Sequence, residues 1–200
     1  MLEIWWIRHG QSQWNRENRW QGHSDIALSP EGEQQALRLR RGLSEVHFDA
    51  VYSSDLLRAM HTAELALPGC LPLRDGRLRE VHFGEFEGLT RAEMTAEQLD
   101  RLKIWFQDPY SARVRGGESL TDVAERLQKW QSELPSRGRI AVFTHGGVIR
   151  CHLWGVTPGE SFWRVQIDNC STSCVVHGPE KSEVIWVNDC SCQEQSAWRE

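Results

Sequence analysis

No stretch of this chain approaches the ~20 consecutive apolar residues that a bilayer-spanning helix needs, which argues against a helical membrane anchor. A secretory leader is not read either. The short apolar run Ile4-Trp5-Trp6-Ile7 has no basic segment before it and stops at Arg8, so a cytosolic setting is expected. Metal-binding patterns are also missing, since no H-E-x-x-H occurs. The six cysteines (70, 151, 170, 174, 190 and 192) include Cys170-x3-Cys174 and Cys190-x-Cys192, but no paired C-x2-C knuckles. They read as ordinary thiols in a reducing compartment, and neither a metal nor a cofactor is expected. Cationic excess is lacking as well: 23 Lys and Arg against 28 Asp and Glu leave a net charge of -5, which disfavours nucleic acid or an anionic membrane as partner.

What is present describes a globular chain. Hydrophobic residues make up 40% and charged residues 26%, far from a disordered composition. At 200 residues, one domain spanning 1–200 is expected, burying roughly 70% of the surface its unfolded form exposes. Leu2–Ile7 reads as a buried strand, followed by a polar stretch from Arg8 to Leu28 that is too long for a simple turn. Ser29-Pro30 opens a helix reaching about Gly42, with serine as cap and proline in the first turn. Ala50–Ser53 reads as a strand, and Asp55 as the cap of a helix with a Leu56, Met60, Ala63 and Leu67 stripe. An extended section then reaches Leu78–Phe83. Residues 89–118 form an irregular cap insertion with one helix from Thr95 carrying Leu99, Leu102 and Phe106. Ser119 starts an amphipathic helix with Leu120, Val123, Ala124, Leu127, Trp130 and Leu134 on one stripe. Ile140–Phe143 is a strand, and a helix begins at Gly146 or Gly147. Phe162–Ile167, Cys174–His177 and Val184–Val187 are expected as late strands, with 188–200 a polar tail that frays.

Alternating strands and helices predict an α/β three-layer sandwich with a mostly parallel central sheet. In such sheets ligands bind at the carboxyl ends of the strands. Two of those ends share a signature, Trp6-Ile7-Arg8-His9-Gly10 and Val142-Phe143-Thr144-His145-Gly146. Two histidines brought to one edge of a sheet make a candidate site.

The surrounding blocks strengthen it. After Arg8-His9-Gly10 come Ser12, Asn15, Arg19-Trp20-Gln21-Gly22 and Asp25. Ser53-Ser54-Asp55-Leu56-Leu57-Arg58-Ala59 leads to Thr62-Ala63. Leu78-Arg79-Glu80, Phe83-Gly84, Glu87-Gly88, Gly116-Gly117-Glu118-Ser119 and Thr144-His145-Gly146-Gly147 follow in order. Taken together these resemble the histidine phosphatase superfamily, with its phosphoglycerate-mutase-like fold, over about residues 3–150. The block from Leu78 to Gly88 is similar to that of the family's small bacterial phosphatases.

The chemistry agrees with that resemblance. A phosphate monoester arrives as roughly a dianion, and Arg8 and Arg58 can offer planar guanidinium forks. Asn15 and Gln21 add neutral donors. Gly10, Gly22 and Gly146 let backbone come close. The resemblance implies that His9 accepts the phosphoryl group and that a cationic His145 stabilises it in transfer. It further implies that Glu80 gives a proton to the leaving oxygen and then activates water. Glu85 and Glu87 are the rival carboxylates. Asp25 is expected to brace the loop, and His23, His61, His82, His152 and His177 to be ordinary.

The function expected on these grounds is metal-independent hydrolysis of a small-molecule phosphate monoester through a phosphohistidine on His9. The alternatives are a cofactor-dependent phosphoglycerate mutase and a noncatalytic phospho-ligand binding protein. Sugar phosphates, phosphorylated carboxylic acids and α-ribazole phosphate all suit the family. In the cap, Arg101, Lys103, Arg113 and Arg115 could bind a second acidic group, and Trp105, Phe106 and Tyr110 could stack on a flat one. A solvated charged cap over a small aromatic core is an equal reading. The sequence carries no signal of oligomeric state.

Overall fold

Strand β1 (Leu2–Arg8) explains why the sheet is covered on both faces. Alternate side chains go to opposite sides of a strand. Leu2, Ile4 and Trp6 enter one apolar cluster, while Ile7 enters another with Trp5 packed against it. A strand that is apolar on both faces needs two covering layers. The computed structural model, which describes residues 1–157 and 162–191, provides them.

Its six-stranded sheet runs β3-β2-β4-β1-β5-β6. Strands β2 (Ala50–Ser53), β3 (Leu73–Arg74), β4 (Gly138–Thr144) and β1 are mutually parallel. Strands β5 (Thr172–His177) and β6 (Ser182–Asp189) are antiparallel additions at one side. Arg8 lies opposite Thr144 in the β1–β4 pairing, so His9 and His145 leave the sheet together.

A four-residue helix α1 (Gln13–Arg16) interrupts the long polar loop after β1, capped by Ser12 and Asn15 acting reciprocally. Helices α2 (Pro30–Leu43) and α3 (Leu57–Ala66) cover one face with Ala36, Leu39, Leu43, Ala63 and Ala66. The cap helix α4 (Ala96–Gln107) comes next in the chain. Helices α5 (Leu120–Gln131) and α6 (Gly146–Val156) cover the other face with Leu120, Val123, Leu127, Trp130, Val148 and Ile149. The expected three-layer sandwich with a mostly parallel sheet is the observed architecture. Residues 89–118 join the α5–α6 side, where Met94, Leu102, Trp105 and Val114 enter the same cluster as Leu78 and Phe86. Among the described residues, no helix is long and apolar enough to cross a membrane.

Several local expectations need correction. Phe162–Ile167 is turn and coil, not a strand. On α4 the deeply buried aromatic is Trp105, while Phe106 is 39% exposed. Ala124 of α5 is exposed. Strand β6 runs on through Asn188 and Asp189, two residues into the stretch expected to fray, because the Asn188 amide donates to Asp168 Oδ2 at 2.8 Å. The rest of that tail, residues 192–200 with Cys192, lies outside the described residues. Asp55 does not cap α3. It pairs with the Arg79 guanidinium at 2.6 and 2.7 Å, and the Leu57 N–H at the helix start donates instead to Asp25 Oδ1 at 2.7 Å. Asp25 therefore fastens the long loop to α3.

Candidate active site

The site is assembled at the carboxyl edge of β1 and β4. His9 is 2% exposed, and its backbone N–H donates to the Thr144 carbonyl at 2.9 Å. Its Nδ1 donates to the Gly10 carbonyl at 2.6 Å. A carbonyl can only accept, so this contact places the proton on Nδ1 and leaves the Nε2 lone pair free. Burial, then the Arg58 and Arg8 charges, hold the imidazole well below its ordinary pKa, so it is neutral at pH 7.

A cleft of about 180 Å³ opens on this ring, lined by Arg8, His9, Asn15, Gln21 and Glu80 together with Asn18, Arg19, Trp20 and Phe83. Five of the expected site residues thus meet in one cavity. Arg8 is fixed by donation from Nη1 to the Ile167 carbonyl at 2.6 Å, and burial lowers its pKa. The amide oxygens of Asn15 and Gln21 are taken up by the Ser12 N–H at 3.0 Å and the Ser12 hydroxyl at 2.7 Å. Their NH₂ groups are therefore the ends that can donate into the cleft.

Glu80 is oriented by two backbone donors, Val81 N–H to Oε1 at 2.9 Å and Gly147 N–H to Oε2 at 3.1 Å. A Cβ at position 147 would fall 2.3 Å from Oε1 and 2.8 Å from Val81 Cγ2, so this glycine is required for the carboxylate's position. A Cβ at Gly146 would meet only ordinary contacts of 3.5 Å or more. At Gly10 it would strike the Gly32 carbonyl at 2.5 Å, and the Gly10 N–H already donates to Thr62 Oγ1 at 3.0 Å. The need for glycine at position 10 comes from packing against α2.

Arg58, His145, Gly22 and Gly146 stand behind the cleft. Arg58 is fully buried, and its Nη1 and Nη2 donate to the Ser24 and Gly22 carbonyls at 2.8 and 2.6 Å. Its Nε donates to His145 Nδ1 at 3.2 Å. That fixes the opposite tautomer on His145, whose Nε2–H donates to Ser54 Oγ at 2.9 Å. Burial and the Arg58 charge hold His145 well below its ordinary pKa, so the ring rests neutral at pH 7. Burial also lowers Arg58 to about 10, which leaves it charged at neutral pH.

The rival carboxylates are engaged elsewhere. Glu85 pairs with Arg101 at 2.6 and 2.7 Å, and Glu87 accepts from the backbone N–H groups of His23, Ser24 and Phe83. Of the cap residues, Arg113 pairs with Asp122, and Tyr110 packs on Trp154 with ring centroids 4.2 Å apart. The aromatic wall of the cleft comes instead from Trp20 and Phe83, 4.8 Å apart, with Trp105 and Phe106 behind Trp20. His23, expected to be ordinary, donates from Nε2 to the Glu80 carbonyl at 2.9 Å. Asn169 donates to the His9 carbonyl at 2.9 Å. Neither contact has a local sequence signal, since both join residues far apart in the chain. Among the described residues, no group of three or more His, Cys, Asp or Glu could hold a metal ion.

Comparison with known proteins gives a consistent picture. A family model described as the histidine phosphatase superfamily (branch 1) matches residues 4–190. "Probable phosphoglycerate mutase GpmB" of Erwinia tasmaniensis is 33% identical over 185 residues, 88% of this chain and 86% of that protein. The structure of the alpha-ribazole phosphatase from Shigella flexneri superposes with a TM-score of 0.85 at 26% identity, covering 94% of this chain and 96% of that one. YhfR of Bacillus stearothermophilus gives 0.86 at 29% identity, covering 94% and 98%.

The buried neutral histidines imply a pH dependence of stability. His9, His145 and His152 all titrate below their unfolded value of about 6.5, His152 at about 3 through burial. Below about pH 6.5 the unfolded chain takes up protons that the native state refuses. Stability is therefore full above that pH and falls on acidification, by up to about 1.4 kcal/mol per pH unit for each such histidine. Urea unfolding at pH 7.0, 6.0 and 5.0 should show a falling midpoint. An unchanged midpoint from pH 7.0 to 5.0 would contradict the neutral assignments.

Proposed function

The chain belongs to the histidine phosphatase superfamily, and from that premise we propose that it is a metal-independent phosphomonoesterase with His9 Nε2 as the phosphoryl acceptor. The observation that carries this reading is the Nδ1–Gly10 hydrogen bond, which leaves a neutral imidazole with its free lone pair at the floor of an arginine-flanked cleft. A phosphate dianion would meet the Arg8 guanidinium and the Asn15 and Gln21 amides there, with the Arg58 charge behind. His9 Nε2 would attack phosphorus as the ester P–O bond breaks. Protonated Glu80 would give its proton to the departing oxygen. A water molecule would then attack phosphohistidine, losing its proton to the Glu80 carboxylate, which restores His9, releases phosphate and leaves Glu80 protonated for the next turnover. His145, neutral at rest, would gain a proton only when the incoming dianion offsets the Arg58 charge beside it.

The cleft wall supports a substrate class. Trp20 and Phe83 present ring surface beside the phosphate site, which favours an ester whose leaving group carries a flat or apolar body. The thiols of Cys70, Cys151, Cys170 and Cys174 suit a reducing cytosol. A mutase reading is kept open by one observation, the similarity to a protein named as a probable phosphoglycerate mutase.

With 3-phosphoglycerate, the account predicts at most glycerate and free phosphate, and the rate for any ester that is hydrolysed should be unaffected by EDTA. His9→Ala should remove the activity without unfolding the protein. Conversion to 2-phosphoglycerate faster than phosphate release would favour the mutase. For the wall, Trp20→Ala should lower kcat/KM for 1-naphthyl phosphate about tenfold, the upper range for loss of one aromatic contact. Glycerol 3-phosphate should change little, and an equal loss for both esters would remove the wall's role in selection.

A further inference from the structure

We infer that Glu87 is a positioning residue that locks the phosphate-binding and proton-transfer halves of the site into one frame, an assignment that rests on the phosphoryl-transfer reading above. Its carboxylate is 12% exposed and accepts four hydrogen bonds. Oε1 takes the His23 N–H at 2.9 Å and the Phe83 N–H at 3.1 Å. Oε2 takes the Ser24 N–H at 2.8 Å and the Ser24 hydroxyl at 2.5 Å.

Those donors lie on two segments that the site depends on. In residues 22–24, the His23 and Ser24 N–H groups donate to Glu87, while the Gly22 and Ser24 carbonyls accept from Arg58 at 2.6 and 2.8 Å. The Gly22–His23 peptide is thereby held between a carboxylate and a buried guanidinium, with its dipole aligned to both charges. The Glu87 charge also favours the protonated form of Arg58 across this bridge. Gly22 fits this role twice over. Its φ is +41°, and a Cβ there would stand 2.1 Å from Glu87 Oε1.

On the other side, Glu87 reaches Glu80 by two routes. The Phe83 N–H fixes the turn that follows Glu80 and sets one wall of the cleft. His23, whose backbone is held by Oε1, donates from its ring to the Glu80 carbonyl at 2.9 Å. Arg126 holds the same carbonyl from outside at 3.0 Å. Moving the Glu87 carboxylate would shift Arg58 and Glu80 together, although Glu87 itself does not line the cleft.

Both oxygens face only donors, so the charge type matters as well as the shape. In Glu87→Gln the volume is kept, but the new NH₂ would oppose either the Ser24 or the His23 and Phe83 donors. The test is calorimetric binding of orthovanadate, which needs no turnover, joined to the ratio of kcat for p-nitrophenyl phosphate over glycerol 3-phosphate. Glu87→Gln should bind vanadate about tenfold or more weakly and raise that ratio several-fold, because the alkyl ester depends most on the leaving-group proton. Ser24→Ala removes a single bond to Oε2 and should shift both readouts the same way by a smaller factor. It decides the matter if Glu87→Gln does not fold. A folded variant with wild-type vanadate affinity and a wild-type ratio would overturn the inference. A wild-type protein that binds vanadate but hydrolyses no ester would count against the phosphatase reading alone, since the vanadate comparison would still stand.

Discussion

The hydrogen bond from His9 Nδ1 to the Gly10 carbonyl is short in sequence and decides much of the chemistry. It fixes which ring nitrogen carries the proton, and burial beside two arginines keeps the other nitrogen unprotonated. Each consequence needs support from further away. The peptide carrying the Gly10 carbonyl must point the right way, which Gln35 of α2 secures by accepting the Gln11 N–H at 2.8 Å. The strand end must hold its register, which the β1–β4 pairing provides. A neutral imidazole amid fixed positive charge is primed for an anion, and on the proposed reading that anion is the substrate's phosphate.

The second constraint is the placing of buried charge. A guanidinium with no exposure is costly unless its donors are used. Arg58 uses all three nitrogens, on two carbonyls and on His145. In doing so it ties the long loop after β1 to the face of α3. Asp25, within the loop, adds a second tie to α3 by accepting the Leu57 N–H, and Glu87 holds the loop from its other side by accepting the His23 and Ser24 N–H groups. A polar loop with little apolar anchorage is thereby ordered by hydrogen bonds to ions, which are stronger than neutral ones.

Much of this was legible in the sequence because it is local. His-Gly at the end of two apolar strands needs only strand direction and sheet topology to become a site. Pro30 and Ser29 mark the start of α2, and Ser119 that of α5, through capping chemistry that acts within one turn. Asp55 misled because the same residue type caps helices and binds arginine, and the Arg79 partner lies 24 residues on. Trp105 and Phe106 are adjacent aromatics near one apolar stripe, and the contact that separates them, Trp105 on Phe83 with centroids 5.4 Å apart, comes from a distant segment. The charge of His145 depends on a donor 87 residues earlier. Glu85 and Glu87 could not be separated from Glu80 by type, since all three are glutamates of one block. Their partners separate them: Arg101 for Glu85, the 22–24 loop for Glu87, and the Gly147 N–H for Glu80.

The central claim is that His9 Nε2 becomes phosphorylated while Glu80 serves the leaving group and then water. It is tested most directly in Glu80→Gln, mixed rapidly with p-nitrophenyl phosphate and quenched in alkali. p-Nitrophenolate leaves almost unaided, so phosphorylation should survive while dephosphorylation loses its base. The account predicts a burst of p-nitrophenol approaching one per enzyme, with a base-stable, acid-labile phosphoryl group mapped to His9 by peptide mass spectrometry. No burst and no phosphorylated His9, with aryl and alkyl esters slowed equally, would contradict it.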